Sequence, residues 1–381
     1  MVRGMMLNRS AALGFCGLVA LAILALQAGG MSLFWASLIG GFAGFSLYHA
    51  AFGFTAGWRR LVTEGRSFGI RAQFLLIGLT AIFSYPLIGW FGAGGFVQPV
   101  GVGMAFGAFL FGAGMQFGGG CGSGTLFVVG GGSTRMVITL SFFILGSVIG
   151  HAHVPYWNEL PRIGGVSAIR EFGTLPALAL LLMVCGGLSW AATVYEKRRH
   201  GSLEKTRETG SLLRGPWSPW LGALALTIVG VLTILVLNRP WGITQAFVFW
   251  GGKLLYLGGL STDHWMLERI PQSSLDRSVF AHGTSVMDFG IILGAMIAAG
   301  LAGRFAPIWK LSFKDVWTAV LGGLMMGYGA RLGYGCNIGA YLGGLISGSL
   351  HGWVWAIAAF AGSSLVARAR MPRPGSKLTT A

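Results

Sequence analysis

Three stretches of this chain contain no Asp, Glu, Lys or Arg: Ser10 to Trp58, Ala72 to Thr134 and Leu332 to Ala367. Each exceeds the roughly 20 apolar residues that cross a bilayer core. Charged residues make up only 10% of the chain and hydrophobic ones 54%, where a soluble domain carries about 25% charged. The chain therefore reads as a polytopic membrane protein whose main surroundings are the lipid bilayer. The formal net charge of +16 fits that class, because Lys and Arg concentrate in cytoplasmic loops. They are scattered between apolar runs and form no single patch, which excludes nucleic acid as the expected partner. The four cysteines lie in apolar or Gly-rich sequence, so neither a disulfide framework nor a structural zinc site is indicated, and no cofactor is called for.

In chain order, residues 1–31 form an N-terminal span or signal-like segment, with Arg3 and Arg9 ahead of an apolar run that holds Cys16. Residues 32–153 form a first unit: a span, a short dip at Phe52 to Gly57, two further spans, a Gly-rich dip around Cys121, and a span. Residues 154–216 supply an outer polar loop (it opens at His151), a linking span with Cys185, and a basic linker, Glu196 to Gly215. Residues 217–367 repeat the first plan, with short dips at Trp241 to Leu260 and around Cys336, and a basic tail, 368–381, closes the chain. Placing the N-terminus, the Arg59 to Arg71 loop, the linker, the Arg304 to Lys314 loop and the tail on one cytoplasmic side requires an even number of crossings between each pair. That parity holds when the Trp241 to Leu260 segment dips and returns, and it yields about ten spans. The linking span forces the second unit to run in the opposite sense. The expected fold is all-α, with two inverted-topology repeats whose re-entrant short helices meet at the midplane, a plan typical of transporters.

The repeat rests on two stretches. With Cys121 placed over Cys336, Gly112, Gly114, Gly118, Gly120 and Gly124 fall on Gly327, Gly329, Gly333, Gly335 and Gly339 without a gap. That coincidence reads as an internal repeat even in a chain with 65 glycines. Non-helical backbone inside a bilayer needs burial or a polar cavity, and Gly120, Gly122 and Gly335 permit the tight turns this demands. A thiol is a weak, soft donor and acceptor suited to a polarisable, sulfur-bearing solute. A disulfide across the pore and a soft-metal site are the other readings, the second weakened because neither stretch contains His.

Arg331 is the only charged residue between Asp315 and Arg368. A charge inside a membrane segment marks a functional site, here one that attracts an anion; the alternative is a snorkelling side chain. Its counterpart in the repeat is Gln116, polar and neutral. Asn337, Ser123 and Thr125 stand beside the cysteines as hydrogen-bonding groups, and Asp288 is the acid to examine for coupling. No nucleophile, base and orienting group occur together, so the chain does not read as an enzyme.

At Gly118-Gly-Gly-Cys-Gly-Ser-Gly-Thr-Leu126 and Gly333-Tyr-Gly-Cys-Asn-Ile-Gly-Ala-Tyr-Leu-Gly-Gly344 the chain resembles the YeeE/YedE, or sulphur transport, family of membrane proteins. The resemblance covers about Ser32 to Leu365. It implies an hourglass-like helical protein of the inner membrane that takes up thiosulfate, with cysteines at the constriction touching the anion in succession. Cys121 and Cys336 fall on two of those motifs. The family's first cysteine motif has its nearest counterpart in Glu64-Gly-Arg-Ser-Phe-Gly-Ile-Arg71, which has no cysteine, and this leaves another sulfur or selenium compound open as substrate. A soluble sulfur-carrier protein is a common neighbour of such proteins, and a membrane-anchor role for a sulfur-handling complex is the reading from another class.

Overall fold

The structure, a computed structural model, describes residues 8–370 other than 306 and 308; Arg3 and the tail beyond Arg370 lie outside the described residues. The helices in order are α1 Arg9–Ala50, α2 Phe54–Glu64, α3 Phe68–Gly89, α4 Val102–Gly118, α5 Gly122–Gly130, α6 Thr134–Asn158, α7 Ala168–Phe172, α8 Thr174–His200, α9 Pro219–Leu237, α10 Thr244–Leu257, α11 Gln272–Asp276, α12 Gly283–Leu301 and α13 Phe313–Leu332. A π-helical turn, Asn337–Leu342, then leads through α14, Gly343–Leu345, to α15, Leu350–Ala369. Eight helical segments among the described residues are long and apolar enough to cross a membrane. The protein is thus a mostly helical, multi-pass membrane protein.

The first of those segments is not one rod. Backbone angles leave the helical region at Gly29 and Gly30, where Gly30 has φ 75°. Before the break, Gly14 packs on Ile297 and Ala11 on Gly300; after it, Gly40 packs on Met287 and Gly44 on Ile291. The two halves of α1 therefore run in opposite directions along α12, as a hairpin does. The twenty-residue α13, about 30 Å long at 1.5 Å per residue, is not among the eight but lies against α4 and α6. Counting it and both halves of α1 gives ten long helices among the described residues.

Local chemistry explains where the outer helices begin. Ser133, Ser218 and Ser312 cap α6, α9 and α13 by accepting from Met136, Leu221 and Asp315 amides, which satisfies donors that a helix start leaves open. Lys197, Arg198, Arg199 and His200 end α8, where cations complement the helix dipole.

Packing follows a pairwise pattern. Helices α4 and α13 cross antiparallel with backbones touching: a Cβ on Gly107 would meet Gly333, and one on Gly322 would meet Gly118. Likewise a Cβ on Gly114 would meet Met326, and one on Gly329 would meet Phe111. Exchanging the two cysteine stretches, Cys121 for Cys336, converts each contact of these pairs into the other. The same exchange relates α6 on α13 to α15 on α4, both of which pack together. Helix α8 has no counterpart; it lies along α3, with Cys185 buried.

Three expectations change. The fold is not purely helical, because Val100–Gly101 (β1) pairs antiparallel with Arg162–Ile163 (β2). The polar loop opening at His151 is shorter than read, because α6 continues to Asn158: Trp157 stacks on Phe106 at 4.8 Å and donates to the Tyr328 hydroxyl at 2.9 Å. The basic linker is not a free tether. Buried Glu196 accepts from the Ser67 amide and hydroxyl and the Glu204 amide and pairs with Arg66. Arg207 donates to the carbonyls of His49, Ala50 and Trp217, closing the end of α1 onto the start of α9.

Candidate functional site

The two cysteine stretches touch where Gly122 meets Cys336. Cys121 is the residue that precedes α5 and Cys336 the one that precedes the π-helical turn, with nearly the same backbone angles: φ −87°, ψ −167° and φ −104°, ψ −169°. The residues two positions earlier, Gly119 and Tyr334, both take positive φ, 87° and 62°. That conformation is ordinary for Gly119 and strained for Tyr334. Both cysteines are free thiols and buried, so the disulfide reading does not hold. The Cys336 sulfur rests against the backbone of Gly122. Cys121 Sγ lies 3.4 Å from the Ser123 hydroxyl, and its carbonyl accepts from the amide and hydroxyl of Thr125.

What surrounds the thiols is mainly backbone. Neither helix has a side-chain cap, and neither do α2, which starts after Gly53, and α10, which starts after Ile243. The amides of Gly122, Ser123 and Asn337 have no acceptor among the described residues, while that of Gly124 turns toward the Cys121 sulfur and those of Ile338 and Gly339 toward the Cys336 sulfur. Phe54 at the start of α2 turns its amide toward the Cys121 sulfur, and Gly242 before α10 adjoins Gly339. Open amides at a helix start, reinforced by the helix dipole, form an anion-binding arrangement. The buried Asn337 side chain has no partner for either its Nδ2 or its Oδ1, so it too can serve a solute. A π-turn often marks a functional segment.

A cavity of about 100 Å³ touches the Cys336 loop through Tyr334, Gly335 and Gly339, and Arg239, Gln245 and Thr284 are among the other residues that line it. Gln245 also lines a neighbouring cavity of about 250 Å³, which holds Arg269, Arg277, Arg331, His151 and His282 and no carboxylate. Arg331 is half-buried and its guanidinium has no hydrogen-bond or ion-pair partner among the described residues. Beyond the other end of the site, a cavity of about 250 Å³ is lined by Gly53, Ala56, Arg60, Gln73, Glu204, Lys205 and Arg207. The sequence pattern of the Sulphur transport family matches residues 49–365, which contain the thiols, the uncapped helix starts and all three cavities.

The chain belongs to the sulphur transport family.

Among relatives, this family member is 32% identical to the "Probable transporter YedE" of Escherichia coli (strain K12) over 152 residues. That match covers 40% of this chain and 37% of the relative, so the chain spans little more than a third of that relative's length. It is 23% identical to the "Thiosulfate transporter TsuA" of Escherichia coli (strain K12) over 334 residues, covering 83% of this chain and 87% of that protein. It is 27% identical to the "Thiosulfate transporter TsuA" of Spirochaeta thermophila over 277 residues, 67% of this chain and 74% of that one. These are names of transporters, not enzymes.

In this sulphur transport family member, the stretch Gly120-Cys121-Gly122 and the stretch Gly335-Cys336-Asn337 lie against each other, Gly122 touching Cys336. Arg331 and Gln116 are not part of that contact. Arg331 stands between two cavities, whereas Gln116 is buried and donates to Ser363 Oγ at 2.8 Å. Its carbonyl also accepts from Arg370, so Gln116 ties α4 to α15. Sequence reading missed Arg239, Arg269 and Arg277. Their only sequence signal was the scarcity of charge elsewhere.

Proposed function

We propose that the protein takes up a small sulfur-containing anion, thiosulfate first, across the inner (plasma) membrane through a constriction made by Cys336 and Cys121. The reading takes residues 32–153 and 217–367 as inverted repeats with re-entrant helices, ten spans and both termini cytoplasmic. The reciprocal α4–α13 contacts support it, since antiparallel partners that exchange under the repeat must enter the membrane from opposite sides. The observation that carries the anion is the set of uncapped, buried helix starts around two free thiols. Thiosulfate suits this set: its oxygens accept from amides, and its soft terminal sulfur accepts from a thiol. The names of the two thiosulfate transporters among the relatives point the same way.

In this scheme Arg331, with Arg269 and Arg277, raises the local anion concentration in the outer cavity. The anion then exchanges water for the amides of residues 337–339 and the Cys336 thiol, passes Gly122, and reaches the Cys121 thiol and its amides. Lys205 and Arg207 receive it on the cytoplasmic side. With both cysteines buried, passage requires the short helices to part.

The test is uptake of radiolabelled thiosulfate by proteoliposomes, with sulfate, sulfite and selenite as competitors. Uptake by the wild-type chain, lost in Cys121→Ala and Cys336→Ala variants of normal expression, is the expected result. Full uptake by both variants sinks the thiol relay, and preferential competition by selenite moves the substrate to selenium. A soluble sulfur-carrier protein as cytoplasmic partner is tested by co-purification.

A further inference from the structure

Asp288 is a charge in the helical core that the path above leaves unused. It sits in α12 with 0% of its surface exposed, and neither carboxylate oxygen has a hydrogen-bond partner. One turn nearer the start of α12, Thr284 accepts from Arg239 Nη2 at 2.9 Å. Arg239 and Thr284 both line the cavity that touches Gly335 and Gly339, and i,i+4 spacing puts Asp288 on the same helix face as Thr284. Asp288 therefore lies one turn deeper than the outer cavity, within electrostatic range of Arg239 and of the Cys336 thiol.

The surrounding elements supply few other titratable groups. His282, at the start of α12, is bonded to Ser285, which also accepts from Trp250. Lys253 of α10 is committed to the Leu275 and Arg277 carbonyls, and Tyr256 lies on the next turn. On α1, Arg9 and Cys16 are exposed, Tyr48 adjoins Gly131, and His49 lies against Trp217. Helix α5 brings only Cys121. An ionised carboxylate without a donor is expensive to keep in such a place, while a protonated one is itself a donor. Arg239, held by Thr284 outside ion-pair distance, offers enough positive charge for the ionised form to exist in passing.

We propose that Asp288 is the proton-carrying group of this transporter, loaded from the outer cavity and discharged toward the cytoplasm as the anion crosses. The inference rests on the uptake reading. One proton per thiosulfate cancels one of its two negative charges, so the inside-negative membrane potential opposes a singly charged load.

The experiment is thiosulfate uptake by proteoliposomes of the full chain with and without an inside-alkaline gradient, alongside a pH dye in the outer medium. For one proton per anion, a gradient of one pH unit raises wild-type accumulation by up to about tenfold, and adding thiosulfate makes the medium more alkaline. Asp288→Asn keeps thiosulfate–thiosulfate exchange but loses the response to the gradient. Wild-type uptake indifferent to the gradient, or an Asn variant that still responds, overturns the role of Asp288 and leaves the uptake reading standing. No wild-type uptake under any gradient overturns both. If the Asn variant fails to insert, the wild-type dye signal decides alone, and a flat signal overturns the proposal.

Discussion

The Cys336 sulfur lies 3.0 Å from where a Cβ on Gly122 would stand, and the Cys336 Cβ lies 3.2 Å from it. The two stretches are therefore closed on each other at a point where a methyl group fits only if Cys336 gives way by a few tenths of an ångström. At Gly124 the same construction meets the Cys121 sulfur at 3.4 Å, an ordinary contact. Gly122→Ala should displace Cys336 at a cost of about 1–3 kcal/mol and lower thiosulfate uptake strongly at normal membrane expression. Gly124→Ala should stay near wild type. Equal uptake by the two variants, measured in the same vesicles, would detach the Gly122–Cys336 contact from transport.

Arg331 faces cavities on two sides and has no partner to lose. Its replacement by Gln should leave the protein's thermal stability nearly unchanged and raise the thiosulfate concentration for half-maximal uptake. The maximal rate should change little, since long-range attraction acts on encounter. The wild-type dependence on ionic strength should also flatten in the variant. An unchanged concentration dependence in initial-rate measurements would assign Arg331 to the interface.

Glu196 joins the end of α8 to the α2–α3 turn and to the linker through Ser67, Glu204 and Arg66. Glu196→Ala leaves those donors without an acceptor, at a cost of roughly 1–3 kcal/mol per unsatisfied buried group. The purified variant should melt at lower temperature and its linker should be cut sooner by protease. Wild-type melting and cleavage would show that the linker is held by Arg207 alone.

Topology is open to cysteine labelling with a membrane-impermeant maleimide. A cysteine at Asp276, beside the arginine-lined cavity, should react from outside intact cells. One at Lys205 should react only after the membrane is opened. Labelling of position 276 from the cytoplasmic side would remove the ten-span arrangement.

Much of this was readable from residue order. Apolar runs indicated where the long helices lie, and the Gly–Cys alignment drew attention to Cys121 and Cys336, because both signals are local in the chain. Other features depend on distant partners. Arg269 and Arg277 belong to a segment without periodicity, and they face Arg331 only because that segment folds back over α10. Glu196 and Arg207 looked like ordinary loop charges until their acceptors and donors from α1, α3 and α9 were in place. Gln116 was paired with Arg331 by alignment, yet Ser363 and Arg370 give it a different neighbourhood. The helix starts at Gly53 and Ile243 show a shared aromatic-Gly-apolar-Thr pattern, but a missing cap has no letter of its own.

The bareness of those helix starts has a consequence for how such a protein can vary. Peptide N–H groups are the same whatever residue bears them, and they neither titrate nor change charge. A contact surface made of them is specified by where a helix begins, not by which side chain stands there. Neighbouring side chains can then be exchanged, and the range of solutes retuned, while the positive end of each short helix stays in place. The thiols and arginines are the adjustable parts; the backbone around them is the constant.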